Sequence, residues 1–434
     1  MQQNSLNALR SSVFLSFLLI LSAGDPLFGY GYAKIEIQTP VGDETFSEDI
    51  HTILIRSSTW ELSSPVVELG SEQRLELLFD DLSGIARNYA YSFVHCDASW
   101  NKSDLQPQEY LSGIGQGTIS ESSSSINTSY GFIHYRLEFP QEECMPVLSG
   151  NYALEVFDAD NPDRIVFTRK FYVIEKKMQL TGKVRQALPG EFRETGQQVE
   201  FSVKYDNFPI ADPVRDLVVM IRQNGRNDRI LNNLKPSYSA QGTIEYADPE
   251  EGIFPGGNEF RTLDIKSMKY QTENTAGIDF QNQHYHVFLK HDKNRDNSSY
   301  FTKTDLNGNF FINQEKSREK HLEADYVYVH FFLDQAIPLQ DDVYVFGKFS
   351  DWACTKENRM KYNVAGNCYE AVILLKQGLY DYEFVTLDKT TGKPDDEIFE
   401  GSYYETGNDY EIYVYLHDNR SRYDRLIGYL PLKT

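Results

Sequence analysis

The sequence predicts an all-β chain built of tandem immunoglobulin-like β-sandwich domains, and three observations carry that expectation. Apolar and polar residues alternate with a period of two, as in Arg74-Leu75-Glu76-Leu77 and Tyr89-Ala90-Tyr91-Ser92-Phe93, which places apolar groups on one face of a strand. Runs of this kind, five to eight residues long, follow one another between turns with no helical stretch of any length, the pattern of a sandwich. Aromatic residues make up 14% of the 434, with 29 Tyr and 27 Phe, a composition that favours strands.

The chain opens with a segment of different character. Arg10 precedes an apolar run from Val13 to Leu21, broken only by Ser16. A bilayer needs about 20 apolar residues, so the run is too short to span one and fits a secretory signal peptide over residues 1–33. Cleavage is expected after Ala23 or after Ala33. No later run is long and apolar enough for a transmembrane helix, so no direct membrane insertion is expected of an exported chain.

Strand alternation begins at Lys34-Ile35-Glu36-Ile37-Gln38 and continues to Ile165–Ile174, bounding a first domain at residues 34–176. The charged Glu175-Lys176-Lys177 reads as a junction. A middle β domain, 177–321, holds Val199–Tyr205 and Leu217–Ile221. The latter runs into Asn224-Gly225, a pair suited to the type I′ hairpin because both turn residues need positive φ. Gln283–Leu289 and Phe310-Phe311-Ile312 follow, with Asn307-Gly308 between them. A C-terminal sandwich, 322–434, starts from Val343–Phe346 and continues through Tyr369–Leu375 and Tyr380–Phe384.

The net charge of −22 argues against nucleic acid and against anionic membrane surfaces, which demand basic patches. Four cysteines in an exported chain allow two disulfides with three connectivities. Cys354 and Cys368 are the better placed pair, one following a strand and the other opening the next. Closing a loop of that size contributes roughly 3 kcal/mol. Four free buried thiols are the alternative.

The stretch Tyr91 to Val156 is the most distinctive. It holds Tyr91-Ser92-Phe93-Val94-His95-Cys96-Asp97, Trp100, and Glu109-Tyr110-Leu111-Ser112-Gly113. After the serine-rich Ser122–Ser125 come Ile133–Pro140 and Ser149-Gly150-Asn151-Tyr152. In this it resembles the first domain of the plug protein family of the type IX secretion system. The resemblance implies a non-catalytic periplasmic protein at the periplasmic face of the outer membrane. It further implies that the protein seals the type IX translocon, a giant outer-membrane β-barrel, when no cargo occupies it. His95, Cys96, Asp97 and Trp100 carry the resemblance where a strand ends. They are either a packed corner, with Asp97 capping the turn, or a contact for a partner. The long polar segment Ile119–Tyr130 is a second candidate contact, or a plain surface loop.

The segment 340–416 resembles the early-set sandwiches of glycogen-binding domains, through Gly347-Lys348-Phe349-Ser350-Asp351-Trp352 and Gly378-Leu379-Tyr380-Asp381-Tyr382. Sugar-binding members of that group use this tryptophan, a lysine on the later strand and a second tryptophan after it. Here the lysine position holds Glu383, and Leu387–Pro394 has no aromatic residue, so Trp352 is expected to pack in the core and carbohydrate binding is not expected. A carbohydrate-binding module, or a periplasmic scaffold or chaperone for secreted cargo, is the competing reading of function.

Catalytic and cofactor signals are missing. There is no nucleophile elbow, phosphate loop, dinucleotide glycine pattern or zinc-peptidase helix. His95 and Cys96 are neighbours on a strand and face opposite sides, so they do not form a thiol–imidazole pair. His284-x-His286 with His291 offers two imidazoles on one face, short of a third metal ligand. Asp292-x-Asn294-x-Asp296 and Asp305-x-Asn307-x-Asn309 begin like calcium loops, but lack the glycine and glutamate such loops need and read as turns. No enzyme activity, metal or cofactor is expected.

Overall fold

A computed structural model describes residues 40–434 apart from 206, 207, 241 and 418–420. The expected signal peptide, and the strand expected at 34–38, lie outside the described residues. Three β-sandwiches account for nearly all the rest, so the chain is all-β in tandem sandwiches.

In the first sandwich one sheet runs Glu44–Thr45, Asn161–Ile174, Gly150–Asp158, Tyr89–Cys96, Gln116–Ile119, with Val66–Glu68 added parallel to Asn161–Ile174. The facing sheet runs Ile50–Ser57, Leu75–Asp81, Ile133–Phe139, Glu121–Ser124. Between them lies a core rich in rings, with Phe79 stacked on Tyr135 at 4.9 Å and Tyr152 on Phe171 at 5.4 Å. Offset stacking and edge-to-face contacts of this kind add to the burial of the rings.

The second sandwich is discontinuous. Its first sheet holds Gln179–Gln186, Gly196–Lys204, Thr243–Tyr246 and Tyr238–Ala240, with Ile253–Pro255 beside Gly196–Lys204. Its second sheet runs Ile230–Asn232, Leu217–Gln223, Asp409–His417, Asp424–Lys433. Leu217 pairs with Leu416 and Gln223 with Tyr410 along an unbroken antiparallel ladder. Asn224 and Gly225 have φ of 50° and 67°, the two left-handed residues that the hairpin turn requires.

The third sandwich is inserted between these halves. Gly378–Leu387 pairs with Arg261–Asp264, Phe310–Ile312, Asp342–Phe346 and Pro394–Asp395. Against it lies Thr275–Gln281, His284–Leu289, Tyr326–Asp334, Cys368–Lys376, Lys361–Asn363, around a core including Val327, Val329 and Phe384. The boundary expected at 321/322 therefore runs through the third sandwich, and the last two strands belong to the second. The physical reason is that alternation marks a strand's buried face but not the distant strand that will pair with it.

All four cysteines are free thiols. The bridge expected between Cys354 and Cys368 is not formed. Cys354 packs against the cluster of Phe260, Tyr344, Phe346 and Trp352. Cys368 begins its strand opposite Asp334 and turns its thiol to Glu370.

Candidate functional site

His95 and Cys96 end a strand of the first sandwich, and both are fully buried. Asp97 organises the turn that follows. Its Oδ1 accepts the N–H groups of Ser99 and Asn101, each at 2.9 Å, and its Oδ2 accepts the Asn101 side-chain amide. These bonds let Trp100 adopt a φ of 67° and drop its indole edge-on to Tyr172 at 5.3 Å, with Lys170 Nζ 4.6 Å from the ring. His95 sits among Tyr110, Tyr152 and Tyr423, and its burial lowers its pKa. A Cβ on Gly150 would lie 2.7 Å from His95 Nε2, at a φ of 141°, so the close approach here needs glycine.

This corner faces inward. Val94, Cys96, Trp100 and Tyr172 share one buried cluster with Met220, Tyr413, Tyr415 and Leu426 of the second sandwich. Tyr172 stacks on Tyr413 at 4.5 Å, the Tyr415 hydroxyl donates to Asn151, and Ala98 N–H donates to Asp424. Arg425 and Glu175 pair at 2.7 Å beside it. The four residues thus form part of a seam inside the chain.

A second seam joins the first and third sandwiches around a buried carboxylate. Asp80 Oδ2 accepts from Lys376 Nζ at 2.6 Å and from the Tyr326 hydroxyl at 2.7 Å, and Oδ1 lies 2.6 Å from His134 Nδ1. Asp80 and Lys376 are each 1% exposed. Burial opposes ionisation of Asp80, yet Lys376 and His134 hold its carboxyl below the usual range. His321 stacks flat on His134 at 5.3 Å. Burial and the positive charges of His134, Lys376 and Arg56 push it down to about 3.

The segment Ile119–Tyr130 belongs to this seam as well. It starts at the last residue of the strand Gln116–Ile119 and contains the strand Glu121–Ser124, whose four side chains are all exposed. Ile126 N–H then donates to Leu322 C=O at 2.8 Å, and Asp325 accepts the N–H groups of Ser129 and Tyr130. It is anchored to the third sandwich at its far end and is not a free loop.

The third seam, between the second and third sandwiches, uses both residues of the early-set resemblance. Arg226 lies between the rings of Phe346 and Trp352, 5.2 Å from each, and donates to Glu383 at 2.7 Å, Asp396 at 3.1 Å and Asp228 at 2.7 Å. Asp351 and Trp352 both have left-handed φ, which turns the indole inward over Gly308. A Cβ there would sit 2.1 Å from the Trp352 ring. Burial pushes Glu383 up to about 8; it opposes the ionisation of Asp396 too, but Arg229 and Arg226 bring that carboxyl down to about 2. Trp352 is 6% exposed and already stacked, so it offers no face to a sugar.

The family model described as the type 9 secretion system plug protein 1st domain matches residues 50–175, almost the whole first sandwich. A crystal structure of a hypothetical protein from Parabacteroides merdae ATCC 43184 is similar over 92% of this chain and 100% of its own, with 34% identity and a TM-score of 0.88. The chain belongs to the type 9 secretion system plug protein family. None of the curated proteins matches it.

Its role accordingly lies in type IX secretion. In this plug-family protein the remaining sequence motifs serve the fold. His286 Nδ1 is 3.0 Å from His330 Nε2, His291 pairs with Asp334, and His284 packs on Tyr130. Among the described residues no group of three or more His, Cys, Asp or Glu is arranged to hold a metal, and no helix is long and apolar enough to cross a membrane. Asp292 accepts from Arg261 and Tyr382, and Asp305 from the backbone of Phe260 and Asn307. Periodicity singles out none of the seam charges. A lysine ending the apolar run Val372-Ile373-Leu374-Leu375 was the available signal for Lys376.

Proposed function

We propose that this protein is a non-catalytic periplasmic plug that occludes the type IX outer-membrane translocon, a β-barrel, while no cargo fills it. The observation that carries the reading is the set of three buried polar seams. A plug blocks a wide pore by bulk, so its domains have to hold their mutual positions under load. Lone surface ion pairs contribute about 0–1 kcal/mol and would not serve. Buried charges such as Asp80, Lys376 and Arg226 are different, because each is held by several hydrogen bonds that are all made in only one mutual orientation of the sandwiches. An acidic exterior, net −22, keeps such a body soluble and allows release. The carbohydrate-binding alternative loses its only aromatic platform, since Trp352 is stacked on Arg226.

Deleting the protein tests the reading. Cargo secretion is expected to continue, while antibiotics normally stopped by the outer membrane enter the cell. Removing plug and translocon together is expected to restore the barrier. Unchanged permeability in the single deletion, or leakage persisting in the double, would overturn obstruction.

A further inference from the structure

A groove of about 560 Å³ opens on the second sandwich, with Glu397, next to Asp396 of the third seam, contributing to its lining. Phe192, Leu231, Ile253 and Pro255 supply an apolar lining, and Phe192 is 42% exposed. Glu191, Glu250, Glu251 and Glu397 also line it, and no lysine or arginine does. Glu251 accepts the Lys235 backbone N–H at 2.6 Å. The carboxylates of Glu191, Glu250 and Glu397 make no ion pair among the described residues. Burial and the charge of Asp396 push the Glu397 carboxyl up, against the opposing charge of Arg229.

The other large cleft, about 420 Å³ and lined by all three sandwiches, shows the contrast. There Asp351 pairs with Arg169, Glu411 with Arg222, Glu68 with Lys176 and Asp409 with Lys433. Lys170 and Lys348 also line that cleft without an ion pair among the described residues, so it presents cations where the groove presents none. The groove on the second sandwich, by contrast, combines apolar residues with carboxylates and has no cation in its lining.

We propose that this groove is a docking site for a polypeptide segment of a partner protein that carries Lys or Arg beside aliphatic or aromatic residues. Such side chains lay their hydrocarbon stems or rings along Phe192, Leu231 and Ile253 and bring their charged heads to the carboxylates. Complementary charge at the rim speeds encounter and excludes acidic segments. The proposal does not depend on occlusion of the pore, since the groove lies on the second sandwich and its binding is measured on the isolated protein.

The test titrates the full chain with a fluorescent peptide alternating Lys with Leu and Phe, and with its counterpart carrying Glu for Lys. Saturable binding of the Lys peptide alone is expected, weakening as salt rises, with shifts of the Ile253 and Leu231 methyl resonances. The double variant Glu250→Lys/Glu397→Lys changes exposed residues and is expected to keep the melting temperature while weakening the peptide by roughly tenfold or more. Failure to saturate, equal binding of the Glu peptide, methyl shifts confined elsewhere, or undiminished binding by the double variant would each overturn the proposal. So would a dimer in sedimentation that the double variant abolishes, since a second copy would then be the occupant.

Discussion

Lys376 and Asp80 show what a buried charge does at a domain boundary. Each is useless alone, because neither reaches water, and together they are satisfied by Tyr326, His134 and the carbonyl of His321. Lys376→Met is therefore expected to cost about 3–5 kcal/mol in urea unfolding, most of it from stranding Asp80. The double change Lys376→Met/Asp80→Leu should recover much of that loss; a double variant as unstable as the sum of the singles would refute the coupling. Trp352 makes a comparable case on the other seam. Trp352→Ala removes a ring that is nearly all buried and should cost about 3–5 kcal/mol. Purified protein, wild type or variant, should show no saturable binding to glycogen, and sugar binding lost on that substitution would contradict the packing role.

The strand Glu121–Ser124 and the turn after it illustrate how far the sequence reads at the level of elements. Leu75–Asp81, Tyr89–Cys96 and Gly378–Leu387 were legible from alternation, Leu217–Gln223 from its apolar run into a turn, and Asn224-Gly225 from the demands of that turn. The segment Ile119–Tyr130 was not, because serine runs carry no apolar face and its anchor, Asp325, is distant in sequence. Seams are illegible for the same reason: Arg226 follows a turn pair and looks solvated until Phe346, Trp352 and Glu383 close around it. Asp325→Ala leaves the N–H groups of Ser129 and Tyr130 without their acceptor and should cost about 1–3 kcal/mol. Limited proteolysis should then cut faster between residues 120 and 130 than in the wild type; an unchanged cleavage pattern would show that the anchor is not what orders this segment.

At the scale of the molecule, the seam between the first and third sandwiches predicts sensitivity to acid. His321 has a folded pKa of about 3 against an ordinary value of 6.5. The folded state thus prefers the neutral ring, and the unfolded chain takes up a proton first as pH falls. That contribution is complete above about pH 6.5 and is lost on descending towards 3, by up to about 1.4 kcal/mol per pH unit. Melting temperature should fall through this range, and His321→Gln should flatten the slope. An equal slope in the variant would place the sensitivity elsewhere. The insertion of the third sandwich into the second has a consequence for the order of assembly. The ladder of Leu217–Gln223 stays half-made until Asp409–His417 has left the ribosome, since non-local pairings wait for their partners. The same late strands carry Tyr413 and Tyr415, which close the corner of the first sandwich. Strands made after the third sandwich are thus the clasp for the first, and a nascent chain cut short before residue 409 yields domains without a body.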